Sequence, residues 1–129
     1  MRLVGEECPH LTDIRLDSCY EVGDQAIIFL AEGCPQITNL SLKRCPGMTD
    51  KAMIAIGENL ALLIHLNVST NGRVTSAGVR AVVSQCGALK WLQIDDLQRV
   101  DHACREWARQ GWPEVRARGI GGGGLKHTC

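Results

Sequence analysis

Apolar residues recur along this chain at a fixed stride. Written in rows of 26 residues, with no insertion or deletion, the sequence places them in the same columns. Full rows begin at Cys8, Cys34, Leu60 and Cys86, and a partial fifth begins at Trp112. The first row holds Leu11, Ile14 and Leu16, and the second Ile37, Leu40 and Leu42. The third holds Leu63, Leu66 and Val68, and the fourth Leu89, Leu92 and Ile94. A closing position follows each set, filled by Cys19, Cys45, Asn71 and Leu97. The end of each set alternates with period two. It predicts a short strand per row, with Ile14 and Leu16 on one face and Asp13, Arg15 and Asp17 on the other.

The second half of each row reads as a helix. Val22, Met48, Val74 and Val100 share one column, followed by Gly23, Thr49, Thr75 and Asp101, then Asp24, Asp50, Ser76 and His102. Thr and Asp at these sites are good N-caps, because their oxygens accept the unbonded amide hydrogens of a first helical turn. The predicted helices run over Asp24–Glu32, Asp50–Glu58, Ser76–Ser84 and His102–Gln110. Each carries a small residue near its start, Ala26, Ala52, Gly78 or Cys104, which lets the helix lie close to the strand layer. In the fourth helix Arg105 and Arg109 replace apolar residues of the earlier rows. With "GWP" after them they predict a polar terminal cap, Trp107 or Trp112 covering the last core layer.

A chain of 129 residues is long enough for one domain with its own core. Fourteen basic residues balance fourteen acidic ones, so no net field draws the protein to nucleic acid or an anionic membrane. No apolar run is long enough to span a bilayer, and Met1–Glu7 lacks the order of a signal peptide. Seven cysteines suggest a framework at first sight. Yet Cys8, Cys34 and Cys86 share a column with Leu60, and Cys19 and Cys45 share one with Asn71 and Leu97. A metal ligand or a disulfide half does not exchange with leucine; a small buried thiol does. The cysteines are therefore read as core residues, and no metal site or cofactor is expected.

The row pattern CPxLxxLxLxxCxxxTDxA, clearest in "CPQITNLSLKRC" and "MTDKAM" of the second row, resembles the cysteine-containing class of leucine-rich repeats. That class is best known from F-box/leucine-rich-repeat proteins, the substrate receptors of cullin-type ubiquitin ligases. The resemblance implies an α/β fold, a right-handed β-α solenoid of about four 26-residue repeats with a terminal strand around Val115–Ile120 and a cap. The expected organisation is an N-terminal helix end or capping turn over 1–7, a repeat domain over 8–120 and a flexible Gly-rich tail over 121–129. Because 1–7 aligns with only the last turns of a repeat helix, it covers the first coil incompletely. The N-terminal edge is therefore expected either to rest on another domain or protein or to end in a simple capping turn.

In such a fold the outward strand residues line the concave face and make the binding surface. They form three columns: Asp13, Asn39, His65 and Trp91; Arg15, Ser41, Asn67 and Gln93; Asp17, Lys43, Ser69 and Asp95. The face is polar and of mixed sign, which suits a specific protein contact. Trp91 stands out, because an outward tryptophan on a strand is a typical interface anchor. The competing reading folds it flat over His65 as local packing. Asp95, Asp96 and Asp101 read as solvated acids. No nucleophile elbow, phosphate loop or zinc motif appears, and the "GIGGGG" run at Gly119–Gly124 has no following helix to bind phosphate. The chain is expected to be a non-enzymatic, intracellular and most simply cytoplasmic module that binds a protein partner. The alternatives are a structural accessory subunit of a larger intracellular assembly, mitochondrial assemblies included, and the substrate-recognition part of an F-box ligase receptor.

Overall fold

A computed structural model describes residues 10–111 and 116–117. The expectations for 1–7 and 121–129, for Cys8 and for the side chains of Arg109 and Trp112 lie outside the described residues. Among the described residues five strands and four helices alternate: β1 Asp13–Arg15, α1 Asp24–Gly33, β2 Asn39–Ser41, α2 Asp50–Asn59, β3 His65–Asn67, α3 Ser76–Gln85, β4 Trp91–Gln93, α4 His102–Gly111 and β5 Arg116–Ala117. The strands form one parallel sheet in sequential order, β1-β2-β3-β4-β5. Its register carries the 26-residue stride directly, pairing Ile14 with Leu40, Leu40 with Leu66 and Leu66 with Leu92.

Each three-residue strand buries only its central residue, so one sheet face takes the core and the other meets water. The helices pack side by side in chain order over the core face. Between the layers the predicted columns close up: Ile37, Leu42, Met48, Met53, Ile56, Leu60 and Leu63 are fully buried. Cys34, Cys45 and Cys86 lie in the same layer, filling space that leucine or asparagine fills elsewhere, and Cys104 is buried where other units carry alanine or glycine.

The expectation of a four-repeat, right-handed β-α solenoid is corrected here. What forms is a small α/β domain, one short parallel sheet under one layer of helices. A superhelix is the sum of small rotations over many stacked units, and strands of two or three residues in a chain of this size build a single two-layer domain instead.

Tertiary hydrogen bonds tie one unit to the next. Asp24 does not cap its own helix. Its carboxylate accepts the backbone N–H of Thr49 at 2.7 Å and the Thr49 hydroxyl at 2.6 Å, while Thr49 Oγ1 in turn accepts from Lys51 N at 3.2 Å to cap α2. Asp50 repeats the contact one unit on, accepting Thr75 N at 2.8 Å and the Thr75 hydroxyl. A carboxylate held by an N-cap threonine also sits near the positive end of the next helix. In the fourth unit Asp101 caps α4 itself, accepting Cys104 N at 2.7 Å.

Each unit also turns through a left-handed residue just before its closing position: Ser18, Arg44, Thr70 and Asp96, with φ of 59°, 58°, 61° and 54°. None is glycine, so each carries a side chain in a conformation that L-residues avoid. The turn exists because it brings the following closing residue inward under the sheet.

Candidate functional site

The water-facing side of the sheet gathers the residues singled out as a binding surface. The register aligns Asp13 with Asn39, Asn39 with His65 and His65 with Trp91, and separately Arg15 with Ser41, Ser41 with Asn67 and Asn67 with Gln93. Asp13, Arg15, Asp17, Lys43 and His65 are exposed, while Asn39, Ser41, Asn67, Trp91, Gln93 and Asp95 are half-buried. Asp13, Arg15 and Asp17 stand at the β1 end, Lys43 and Asp95 close the β2 and β4 units, and the middle of the face carries amides, a hydroxyl and two rings.

Those rings touch. His65 and Trp91, neighbours across β3 and β4, meet edge to face with centroids 5.6 Å apart and planes at 77°. This is the favoured geometry for an aromatic pair. Partial burial beside the indole pushes the His65 imidazole below its ordinary pKa, with the Asp13 carboxylate acting in the opposite sense. The imidazole is therefore neutral at physiological pH. Trp91 packs on His65 edge to face where a flat stack was the competing expectation, and it keeps part of its surface exposed.

The third column behaves differently from the other two. Ser69, expected to point outward, is buried, 2% exposed. Its hydroxyl accepts the Asp95 N–H at 3.0 Å, and its own N–H donates to Asn67 Oδ1 at 3.0 Å. Asp17 accepts the Ser41 hydroxyl at 2.5 Å and Lys43 N at 3.1 Å through one oxygen. A polar side chain at the strand's end finds backbone donors in the next unit and turns inward to them. These side chains hold adjacent strands in register and leave less surface for a partner. Asp96 and Asp101 are exposed, and among the described residues no group of three metal-binding side chains comes together.

Two polar residues, Asn71 at a closing position and Arg105 in the fourth helix, are buried and hold bonds that the sequence did not reveal. Asn71 is fully buried; its amide donates to Leu42 O and Val68 O, both at 2.8 Å, and its Oδ1 accepts Cys45 N at 2.7 Å. Cys45, one unit earlier, sends its S–H to Leu16 O at 3.0 Å. Cys45 and Asn71 both suit this column because each fills a small space and donates to a carbonyl of the preceding unit. Burial pushes the Cys45 thiol up, which keeps it protonated for that bond.

Where the column ends in Leu97, the donor comes from elsewhere. Arg105, expected on a polar cap, is buried, 7% exposed. It donates from Nη1 to Ile94 O at 3.0 Å and from Nη2 to Leu97 O at 3.2 Å. Its long stem fills the apolar column while its guanidinium supplies what asparagine supplies one unit earlier. Trp107 does pack against the core, with the Arg80 guanidinium 4.7 Å above its ring.

No family model and no curated protein sequence matches the chain. Solved structures do. A chain of the yeast Rad7 and Elc1 complex superposes with a TM-score of 0.71 at 16% identity over 86% of this chain, which spans 30% of that one. Leiomodin-1 actin-binding site 2 matches with a TM-score of 0.72 at 14% identity, covering 92% of this chain and 75% of the other. The C-terminal domain of Caenorhabditis elegans tropomodulin matches at 0.69 and 16% identity, covering 95% of this chain and 81% of that domain. These likenesses establish the fold. The last two also carry the correction made above, since this chain spans most of each of two small domains.

Proposed function

We propose that the domain is a non-enzymatic protein-interaction module that takes its partner on the water-facing strand side, with Trp91 as the anchor. The single observation that carries this is the ring pair at the centre of that side. Trp91 packs edge to face with His65, and a side chain packed in the free protein has less conformational freedom to lose on binding. Around it, amide and hydroxyl groups offer directional hydrogen bonds and no strong field, which favours a protein surface over a polyanion. The structural neighbours support a partner-binding role: one comes from a two-protein complex and one is named as an actin-binding site. An intracellular, cytoplasmic setting fits a core filled with reduced cysteines.

Binding partners captured from the native source with the intact protein should be lost with Trp91→Ala while circular dichroism stays unchanged. Removal of an anchor of this kind costs about 2 kcal/mol or more, roughly thirtyfold in affinity. Retention of the same partners at full affinity would exclude the strand side as the site. A second reading, an accessory subunit docked through its β1 end, draws on the half-buried state of Leu11, Leu16 and Cys19 at that end.

A further inference from the structure

The core is sealed unevenly. Along the central strand column exposure falls from 6% at Ile14 through 3% at Leu40 and 2% at Leu66 to 0% at Leu92. Leu11, Leu16, Cys19 and Ala26 are only partly buried, whereas Ile37, Leu42, Cys45 and Ala52, their counterparts one unit on, are completely enclosed. Among the described residues β1 pairs with β2 alone. The first three units each pass a strand-end N–H to the next unit's carbonyl: Leu16 N to Ser41 O at 2.8 Å, Leu42 N to Asn67 O at 2.8 Å and Val68 N to Gln93 O at 3.0 Å. By the same pattern the outer carbonyls of Arg15 and Asp17 are placed for donors beyond β1. Among the described residues nothing pairs with the outer edge of β1, and an unpaired strand edge beside partly covered apolar residues is a template for pairing with another strand.

The residues of β1 specify what pairs there. The strand reads Asp13, Ile14, Arg15, with the two charges outward and the isoleucine toward the core. If a second strand of the same sequence runs antiparallel and is centred on Ile14, Asp13 of each copy stands opposite Arg15 of the other. Ile14 then stands opposite Ile14. Both charge pairs are opposite in sign, and both apolar residues fall on the core face. Among the described residues neither Asp13 nor Arg15 is in an ion pair. The edge is thus self-complementary under a two-fold axis, as an isologous interface requires. A parallel continuation in the existing register would instead set each charge against whatever sequence the added strand happened to carry.

We propose that a second copy of this chain docks on β1 by antiparallel strand addition across a two-fold axis at Ile14. The result is one continuous mixed sheet with the helix layers of both copies on the same side. The axis, perpendicular to the sheet, brings Leu11, Leu16 and Cys19 of one copy toward those of the other and closes both half-open cores. The strand side carrying Trp91 stays open to a partner, so this dimer stands or falls independently of the function proposed above.

The test uses charge reversal on exposed positions, where folding is undisturbed. Sedimentation equilibrium of the whole chain should show a monomer–dimer exchange that saturates at the dimer. Arg15→Asp sets acid against acid at both cross-strand sites and should weaken dimerisation roughly tenfold or more. The exchanged double variant Asp13→Arg with Arg15→Asp restores both pairs in the opposite sense and should recover the wild-type dissociation constant. A wild-type chain monomeric at every accessible concentration overturns the proposal. So does open-ended growth beyond the dimer, or a single reversal without effect, or a double variant as weak as the single one.

Discussion

Asn71 holds Cys45 through a 2.7 Å hydrogen bond from the cysteine's backbone N–H to the asparagine's Oδ1, inside a core where both residues are 0% exposed. The same amide group donates to the carbonyls of Leu42 and Val68. One side chain therefore satisfies three backbone groups from two successive units, groups that water cannot reach.

Asn71→Leu removes all three bonds while keeping the volume. Each orphaned buried group carries a desolvation cost, so the variant should lose about 2–3 kcal/mol in urea unfolding. The fourth unit tolerates Leu97 because Arg105 bonds its carbonyls; the third has no such substitute among its described residues. A loss below about 0.5 kcal/mol would mean that water or a backbone shift satisfies those groups, which the burial argues against.

Gly78→Ala tests the carboxylate ladder. A Cβ at this glycine runs into the Asp50 carboxylate and comes within 3.1 Å of Met53 Cβ. Asp50 is pinned by Thr75, so it yields only by giving up those hydrogen bonds. Helix propensity alone favours alanine by ~1 kcal/mol, yet the variant should be destabilised by about 1–2 kcal/mol, the cost of losing a half-buried hydrogen bond to a carboxylate. A stabilised variant in thermal or urea melts would show that Asp50 moves without cost.

Thr70→Gly should have the opposite sign. Thr70 is β-branched and sits at φ 61°, where a side chain costs roughly 1 kcal/mol and glycine none. A gain of up to about 1 kcal/mol in unfolding free energy is expected, reduced by glycine's greater freedom in the unfolded chain. A loss would mean that the threonine side chain contributes more than its backbone costs.

Alkaline pH should unfold the domain through its thiols. Burial pushes the Cys86 thiol up from 9.0 to about 11, and Cys45 and Cys104 move in the same direction. A raised folded-state value means that the folded chain keeps its proton while the unfolded chain releases it. The associated stability is full below pH 9.0 and is lost as pH rises toward about 11. Unfolding midpoints should fall as pH rises from 9.0 toward about 11 and the unfolded chain's thiols ionise, and Cys86→Ala should flatten the slope while lowering stability at neutral pH. Peptide mapping after alkylation should label the half-buried Cys19 well before Cys86. Equal labelling of the two would contradict the packing.

Much of this was legible in the residues alone. The strand columns, the helix positions and the burial of Cys34, Cys45 and Cys86 follow from a stride at which apolar side chains repeat, because exclusion from water acts on each residue by its place in the period. The candidate surface was legible in part: the first two columns come together as read, while Ser69 turns inward.

What the tertiary structure alone decided concerns polar groups whose partners lie far along the chain. Asp24 reaches Thr49, Asn71 reaches Leu42, Arg105 reaches Ile94, and no local pattern reveals which carbonyl or amide will be left wanting a partner. The small two-layer shape, where a superhelix was expected, is likewise set by how few units stack and how short their strands are. Sequence by itself settled what is apolar and at what interval. The fold settled which polar atoms meet, because a buried hydrogen bond is a relation between two places in space, and its worth appears only once water has been shut out of both.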